Sequence, residues 1–265
     1  MNSLGVLVIH GMGSQMPGYS AAMKDELERS FPIGSSSVAW EEVLWADVLR
    51  SREINLLDAM SNSPQPLNWA SLREFAVHSF GDALAYHRSH AAGSAYSRVH
   101  DVISGSVDSL QSRLSPRAPI IVIAHSLGAH MISNYIWDQQ HGDNRSPVDN
   151  LLSMISIGNN IPLFSLDFPD AISRPITLPR SPLARWLNFY DRDDVLGWPL
   201  RPLYEGNLVQ LTPEQQATVG CIQDCEINVG NLATSWNPMA HMGYWTDNDF
   251  TGPVTDYFLR VFDSL

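Results

Sequence analysis

The feature that most constrains the fold is residues 120–131, IIVIAHSLGAHM, where an apolar run ends abruptly in His-Ser-Leu-Gly. Its first five residues have the length and the largely β-branched composition of a buried strand. The residues that follow predict a helix, so Ser126 lies on a tight turn between two elements. A serine in this place is either a nucleophile held on the turn or the N-terminal cap of the helix.

The rest of the chain repeats this alternation of strands and helices. The predicted strands are Leu4–Ile9, Ser37–Leu44, Ile120–Ala124, Leu151–Ile157, Arg185–Tyr190 and Cys221–Val229; the predicted helices are Ser20–Ser30, Trp45–Ala91 (interrupted at residues 63–66), Tyr96–Leu114, Leu127–Gln140 and Phe250–Leu265. Such alternation is typical of an α/β fold, with a mostly parallel central sheet and helices on both faces. The 265 residues are 44% hydrophobic, enough for one sizeable core, and we expect one domain over residues 1–265.

Charge and apolar patterning argue against several classes of partner. The chain carries 28 acidic and 16 basic side chains, a net charge of −12. Nucleic acids and anionic membranes attract basic surfaces, so neither is an expected partner. No apolar run approaches the roughly 18 residues of a membrane span. The chain start lacks the basic region and the long apolar core of a secretory signal, so we expect a cytoplasmic protein without stable membrane insertion.

The turn at Ser126 reads Ala124-His125-Ser126-Leu127-Gly128, a G-x-S-x-G pattern with alanine in the first place. Small residues let the strand and the helix approach closely, and the serine adopts a strained backbone conformation that exposes its hydroxyl. Alanine takes up little more room than glycine, so this geometry is possible here. The pattern alone leaves the helix-cap interpretation open.

A second polar cluster, His10-Gly11-Met12-Gly13, follows the first predicted strand. Acyl transfer develops a negatively charged oxygen, which backbone N–H groups on a glycine-rich turn can stabilise. We expect Met12 N–H and Leu127 N–H to form this oxyanion hole. The alternative is a plain turn whose glycines allow positive φ. The cluster has neither of the glycine patterns that bind nucleotide phosphates.

An acid and a base come late in the chain. Asp191, Asp193 and Asp194 follow the predicted strand that ends at Tyr190, and His241 lies in a loop after the last strand. A serine hydroxyl needs a base to take its proton, and that base needs a carboxylate to fix its tautomer. The chain order Ser, Asp, His is the one that this architecture uses.

These four motifs together resemble the α/β-hydrolase superfamily, of the lipase and esterase type. The motifs HGMG, AHSLG, YDRDDVLG and AHMGYW match the superfamily in order and spacing from Leu4 to Trp245. The resemblance implies that Ser126 is the nucleophile, His241 the base and Asp194 the third member, because the acid usually precedes an apolar dipeptide. Asp193 is the second choice for the acid and Asp191 the third. Three acids in four residues also resemble a metal-binding loop, but no partner ligands accompany them, so we expect neither metal nor cofactor.

The long segment 45–91 departs from the superfamily pattern. It is either an ordinary packed helical layer or a cap that shapes an apolar acyl pocket, and the proline-rich segment 164–182 could belong to the same cover. The resemblance implies a serine hydrolase that cleaves carboxylic esters, with a small-molecule or lipid-like substrate. An amidase, a thioesterase or an acyltransferase on the same fold, or a non-catalytic binding module, are the alternatives.

Overall fold

The computed structural model describes residues 1–13, 15–31, 37–61, 68, 77, 81–89, 91–167, 175–206, 208–229, 241 and 243–265. Its centre is one parallel sheet in the order β2-β1-β3-β4-β5-β6. The strands are β1 (Leu4–Ile9), β2 (Val38–Val43), β3 (Ile120–His125), β4 (Leu151–Ile157), β5 (Trp186–Asp191) and β6 (Ile222–Ile227). The predicted mostly parallel sheet is thus confirmed.

The sheet order places a crevice between β1 and β3. The chain runs from β1 outward to β2, and then returns to the other side of β1 as β3. Ligand sites in parallel sheets lie outside the carboxyl ends of the strands where the order reverses in this way. The turn that contains Ser126 follows β3, and the turn that contains Met12 follows β1.

Helices cover both faces of the sheet. They are α1 (Ala21–Glu28), α2 (Asp47–Ser61), α3 (Asp82–Ala85), α4 (Ala95–Ser112), α5 (Leu127–Gln140), α6 (Ile161–Phe164), α7 (Arg201–Glu205), α8 (Pro213–Cys221) and α9 (Asn248–Phe262). Strand side chains alternate between two cores, so that Val6 and Val8 pack with α1 and α9, whereas Leu7 and Ile9 pack with α2, α4 and α5. Strands that are buried on both faces explain the near-continuous apolar runs in the sequence.

Most predicted elements are confirmed within a few residues, and Leu127–Gln140 and Leu151–Ile157 have the predicted bounds. The last strand is shorter than expected, because Cys221 ends α8 instead of beginning β6. Sequence reasoning missed α7 and α8. It also took the start of the proline-rich segment as irregular, whereas Phe164 ends α6 and Ser165–Asp167 form a 3₁₀ turn.

Within the described residues of segment 45–91, α2 and α3 are helical, whereas residues 86–89 and 91, which were predicted as the end of the helix, are not. Trp45 and Leu49 are buried against the core, but Leu56 and Met60, farther along α2, are 47% and 45% exposed, so only the start of the segment packs as a helical layer. Trp69, Phe75 and Phe80, which belong to the same segment, lie outside the described residues. None of the helices in the described ranges is long and apolar enough to cross a membrane.

Candidate active site

The turn between β3 and α5 holds Ser126 in a strained conformation. Its φ is 53° and its ψ is −126°, a region that side-chain-bearing residues seldom occupy, and Ser126 N–H donates to Ile157 O at 3.0 Å. The Ser126 side chain makes no capping hydrogen bond to α5. The geometry therefore contradicts the helix-cap interpretation and agrees with the predicted elbow.

Close approach between the two turns explains the small residues of both motifs. A Cβ atom on Gly128 would lie 2.3 Å from His10 O, and one on Gly11 would lie 2.6 Å from Ser126 Cβ. Real Cβ atoms do not come so near to other heavy atoms, so only glycine fits at either position. Gly128 of AHSLG and Gly11 of HGMG thus allow the turn after β1 to pack directly against the turn after β3.

Ser126, His241 and Asp194 form a hydrogen-bonded chain. Ser126 Oγ lies 2.7 Å from His241 Nε2, and His241 Nδ1 lies 2.8 Å from Asp194 Oδ2. All three residues are buried. With Asp194 ionised, Nδ1 carries the imidazole proton, and Nε2 is the acceptor that faces the serine hydroxyl. The structure therefore brings together the three residues that the sequence placed on separate loops.

The three acids after β5 have different roles. Asp191 accepts from the backbone N–H groups of Asp193 and Val229, both at 2.7 Å, and so ties the loop to the residues after β6. Asp193 is exposed. Only Asp194 contacts His241, so the first choice among the three candidate acids agrees with the geometry.

Tyr244 supports the buried carboxylate, and sequence reasoning missed it. Its hydroxyl donates to Asp194 Oδ2 at 2.8 Å and accepts from Asp191 N–H at 3.0 Å, while Leu196 N–H donates to Asp194 Oδ1 at 2.9 Å. Burial opposes the ionisation of Asp194, but the hydrogen bonds from His241, Tyr244 and Leu196 outweigh it and lower its pKa. The acid is therefore charged at neutral pH.

Two further glycines make room for this group. A Cβ atom on Gly197 would lie 2.5 Å from Asp194 Oδ2, and one on Gly158, whose φ is +54°, would lie 3.1 Å from His241 Nδ1. Gly158 directly follows β4, and Gly197 lies in the loop after β5. Their role is visible only once the Asp194–His241 pair is in place.

His125 holds the backbone of His241. Its Nε2 lies 2.9 Å from His241 O, and because a carbonyl only accepts, Nε2 carries the proton and donates it. Burial and, after it, the nearby His241 ring lower the pKa of His125 to about 3, so His125 stays neutral. The residue immediately before Ser126 thus fixes the residue that accepts its proton.

The two predicted oxyanion donors lie on the two turns, and each is held by a side chain. Leu127 N–H lies 3.2 Å from the amide oxygen of Asn160, in the amide orientation that satisfies both of its polar atoms; Asn160 Nδ2 then donates to Ser126 O at 3.1 Å. Leu127 N–H therefore has a partner, which an incoming oxyanion must displace. Sequence reasoning missed Asn160.

Met12 N–H belongs to the peptide unit whose carbonyl, Gly11 O, accepts from His10 Nδ1 at 2.7 Å. Because the N–H and C=O of one unit point in opposite directions, this bond restrains the direction of Met12 N–H from one side. Burial, which the bond to Gly11 O only partly offsets, lowers the pKa of His10 to about 4. The neutral tautomer with its proton on Nδ1 is thus the one that this turn needs.

A parallel sheet with helices on both faces, a strained serine between a strand and a helix, and the chain order Ser, Asp, His occur here together. This is the α/β-hydrolase fold. Within the described residues, no three His, Cys, Asp or Glu side chains are grouped as metal ligands.

Comparisons with known proteins add little. No family model matches the chain, and a search of curated proteins gave no match. Among solved structures, a candidate hydrolase of the α/β superfamily from Xanthomonas campestris pv. campestris is 9% identical, with 98% of this chain and 99% of that chain covered and a TM-score of 0.41. A cutinase-like protein from Cryptococcus sp. is 12% identical, with 98% and 95% covered and a TM-score of 0.43.

Proposed function

We propose that this protein is a serine hydrolase that cleaves carboxylic esters through an acyl-enzyme intermediate. The observation that carries the proposal is the chain of hydrogen bonds from Ser126 Oγ through His241 to a charged Asp194, on a strained turn at the crevice of the sheet. A buried, oriented base beside a serine hydroxyl is the arrangement that makes this hydroxyl a nucleophile. A serine that served only the fold would need neither the strain nor the two partners.

In the proposed first half-reaction, Ser126 Oγ attacks the ester carbonyl carbon while His241 Nε2 takes the hydroxyl proton. The carbonyl oxygen becomes an oxyanion, for which Met12 N–H and Leu127 N–H are the proposed donors, after the amide of Asn160 has released the latter. Asp194 balances the imidazolium charge without taking the proton. The tetrahedral intermediate collapses when the C–O bond breaks and His241 returns its proton to the departing alcohol.

In the second half-reaction, a water molecule takes the place of the alcohol. His241 removes a proton from it as the water oxygen attacks the acyl carbon, and a second oxyanion forms at the same donors. When this intermediate collapses, the bond from Ser126 Oγ to the acyl carbon breaks and the serine regains its proton from His241. The products are a carboxylic acid and an alcohol, and the enzyme returns to its initial state.

Exposed apolar side chains on loops that follow strand ends support an apolar or lipid-like acyl group. Leu166 follows β4 and is 84% exposed; Val195 and Trp198 follow β5 and are 62% and 43% exposed. Val195 and Trp198 line one cavity beside Asp194, and both loops follow strand ends at the edge of the sheet where Ser126 lies. Exposed apolar clusters of this kind often mark binding surfaces.

The test is labelling of the purified protein with a fluorophosphonate, followed by mass spectrometry of the modified peptide. We expect modification at Ser126 that is lost in Ser126→Ala and His241→Ala, with Ser156→Ala as the matched control. Ser156 is a buried serine on β4 that is hydrogen-bonded to Asn188 Oδ1, and no role with His241 is proposed for it. A folded protein that is not labelled, or is labelled equally in His241→Ala, would contradict the proposal.

The bond that is cleaved is tested with matched substrates. Esters, thioesters and anilides of one acyl group should give turnover with the ester as the best substrate, and the alkyl chain length should then be varied. Labelling of Ser126 with a strong preference for the anilide or the thioester would instead indicate an amidase or a thioesterase. Transfer of the acyl group to an added alcohol in preference to water would indicate an acyltransferase.

A further inference from the structure

The helical segment between β2 and α4 contacts the turn that carries Met12. Asp82, the first residue of α3, accepts from Gly13 N–H through its Oδ2 at 3.1 Å. At the other end of the turn, Trp45 donates from Nε1 to His10 O at 2.9 Å, and its ring stacks on the His10 imidazole with centroids 4.9 Å apart. The segment thus contacts the turn on both sides of Met12.

Gly13 is the part of the turn that most needs a restraint. Its φ is +90°, and a Cβ atom built on it would meet no atom of the described residues within 4 Å. A glycine with open space around it has the widest choice of backbone angles. Gly13 N–H belongs to the peptide unit that joins Met12 to Gly13, so the Asp82 bond fixes this unit, while His10 fixes the unit before it. With both units held, the direction of Met12 N–H is determined.

Asp82 is unusual for a residue that only packs. Its side chain is 2% exposed, and it is hydrogen-bonded to the carboxyl group of Glu53 on α2, which is 8% exposed. Burial and then the hydrogen bond to Glu53 raise the pKa of Asp82 to about 8, against the opposing effect of Gly13 N–H. A buried polar pair costs stability compared with an apolar filling of the same shape, so a role beyond packing is indicated.

We propose that Asp82 is a positioning residue of the oxyanion hole: by accepting from Gly13 N–H, it holds Met12 N–H in the direction that a tetrahedral intermediate requires. Glu53 orients Asp82 from the opposite side. The helical segment then serves catalysis by fixing the turn after β1, in addition to packing over the sheet. This inference rests on the proposed function for its kinetic consequence, but not for its effect on the turn.

The variants are chosen so that volume and hydrogen bonding change separately. Asp82→Leu keeps the branched shape and loses the acceptor, whereas Asp82→Asn keeps an acceptor oxygen for Gly13 and a donor for Glu53. Asp47→Asn is the control, because Asp47 lies on the same segment with its side chain 79% exposed. Should Asp82→Leu fail to fold, Asp82→Ser replaces it, since its hydroxyl is too short to reach Gly13 N–H.

We expect Asp82→Leu to lower kcat about 10- to 100-fold, part of the roughly 10²–10³-fold loss that follows removal of a whole donor, with KM changed less than about threefold. Binding of a boronic acid, which forms a tetrahedral adduct with the serine, should weaken in parallel. Asp82→Asn and Asp47→Asn should keep both values near those of the wild type. A residue that only stabilised the fold would lower the melting temperature without this separation of kcat from KM.

Three outcomes would overturn the inference: wild-type kcat and boronate affinity in Asp82→Leu, equal losses in Asp82→Asn, or a rise in KM alone. Hydrogen–deuterium exchange of the peptide that contains residues 10–13 separates this inference from the proposed function. Faster exchange in Asp82→Leu than in Asp82→Asn is expected even of a protein that hydrolyses no ester. Unchanged exchange in Asp82→Leu would refute the role of Asp82 whatever the activity of the wild type.

Discussion

Because the backbone at Ser126 is strained, we expect the glycine variant to be at least as stable as the alanine variant there. At an unstrained serine, the glycine variant should be the less stable of the two. Replacing Ser126 with alanine removes Oγ but keeps a Cβ atom, and therefore keeps the strain of φ 53° and ψ −126°. Replacing it with glycine removes both. The comparison between Ser126→Gly and Ser126→Ala therefore measures the strain, because both variants lose the same hydrogen bond to His241.

The magnitude follows from three contributions. Relief of an unfavourable backbone conformation stabilises the glycine variant by about 1–3 kcal/mol. The greater conformational freedom of its unfolded chain destabilises the glycine variant by about 0.4–1 kcal/mol. The glycine variant also lacks one methyl-sized group that the alanine variant buries. The last two contributions also occur at Ser156, a buried serine within β4 whose φ is not positive. Subtracting the glycine–alanine difference at Ser156 from that at Ser126 isolates the strain, which we expect to be about 2 kcal/mol.

Chemical denaturation of the four purified variants, with a common slope against denaturant, gives the four free energies of unfolding. At Ser156, we expect the glycine variant to be the less stable of its pair. At Ser126, the glycine variant should be of equal or greater stability, although both Ser126 variants are inactive. A glycine–alanine difference that is the same at the two positions within about 0.5 kcal/mol, the usual error of such additive comparisons, would refute the reasoning that the turn stores strain.

Three further predictions follow from the contacts of the site. Asp194→Asn should lower kcat on the order of 10⁴-fold, because an amide cannot balance the imidazolium charge, whereas the exposed Asp193→Asn should leave kcat unchanged; equal effects would contradict the choice of acid. His125→Phe removes the donor to His241 O and leaves a buried carbonyl unpaired, which costs about 1–3 kcal/mol. We therefore expect kcat to fall about tenfold in steady-state assays. A wild-type kcat would show that His241 is held by other contacts. Because the pKa of Asp82 is raised to about 8, the folded protein keeps a proton that the unfolded chain releases near pH 4, so its stability decreases as the pH rises between these values. Asp82→Asn should reduce that decrease, and parallel melting temperatures of variant and wild type from pH 5 to pH 8 would argue against a protonated Asp82.

Local patterns determined the elements and the order of the motifs. Residues 127–140 and 151–157 have the predicted bounds because short-range periodicity and the stop signals around them suffice to define an element. The parallel sheet followed from the alternation of strands and helices. The start of α8 was also predictable from local sequence, because Thr212 and Gln215 form a capping box there.

The candidate site was determined in part. The sequence placed Ser126, His241 and an acid of the 191–194 group at strand ends, because parallel strands bring their carboxyl ends to one edge. It offered three acids, and only the fold decides among them: Asp194 reaches His241, while Asp191 is turned towards Val229 N–H. Backbone angles and loop paths set these directions, and a pattern of residue types does not contain them.

The supporting residues were determined only by the tertiary structure. Tyr244 lies in the AHMGYW motif without an assigned role, Asn160 and Asp82 lie in none of the four motifs, and each acts on a residue at least 33 positions away along the chain. Gly197 is required only because the Asp194 carboxylate lies against it. A hydrogen bond depends on distances of a few tenths of an ångström, which the packing of the two faces of the sheet sets. Local sequence thus specifies which residue types lie at the edge of the sheet, and packing specifies which of their atoms come into contact.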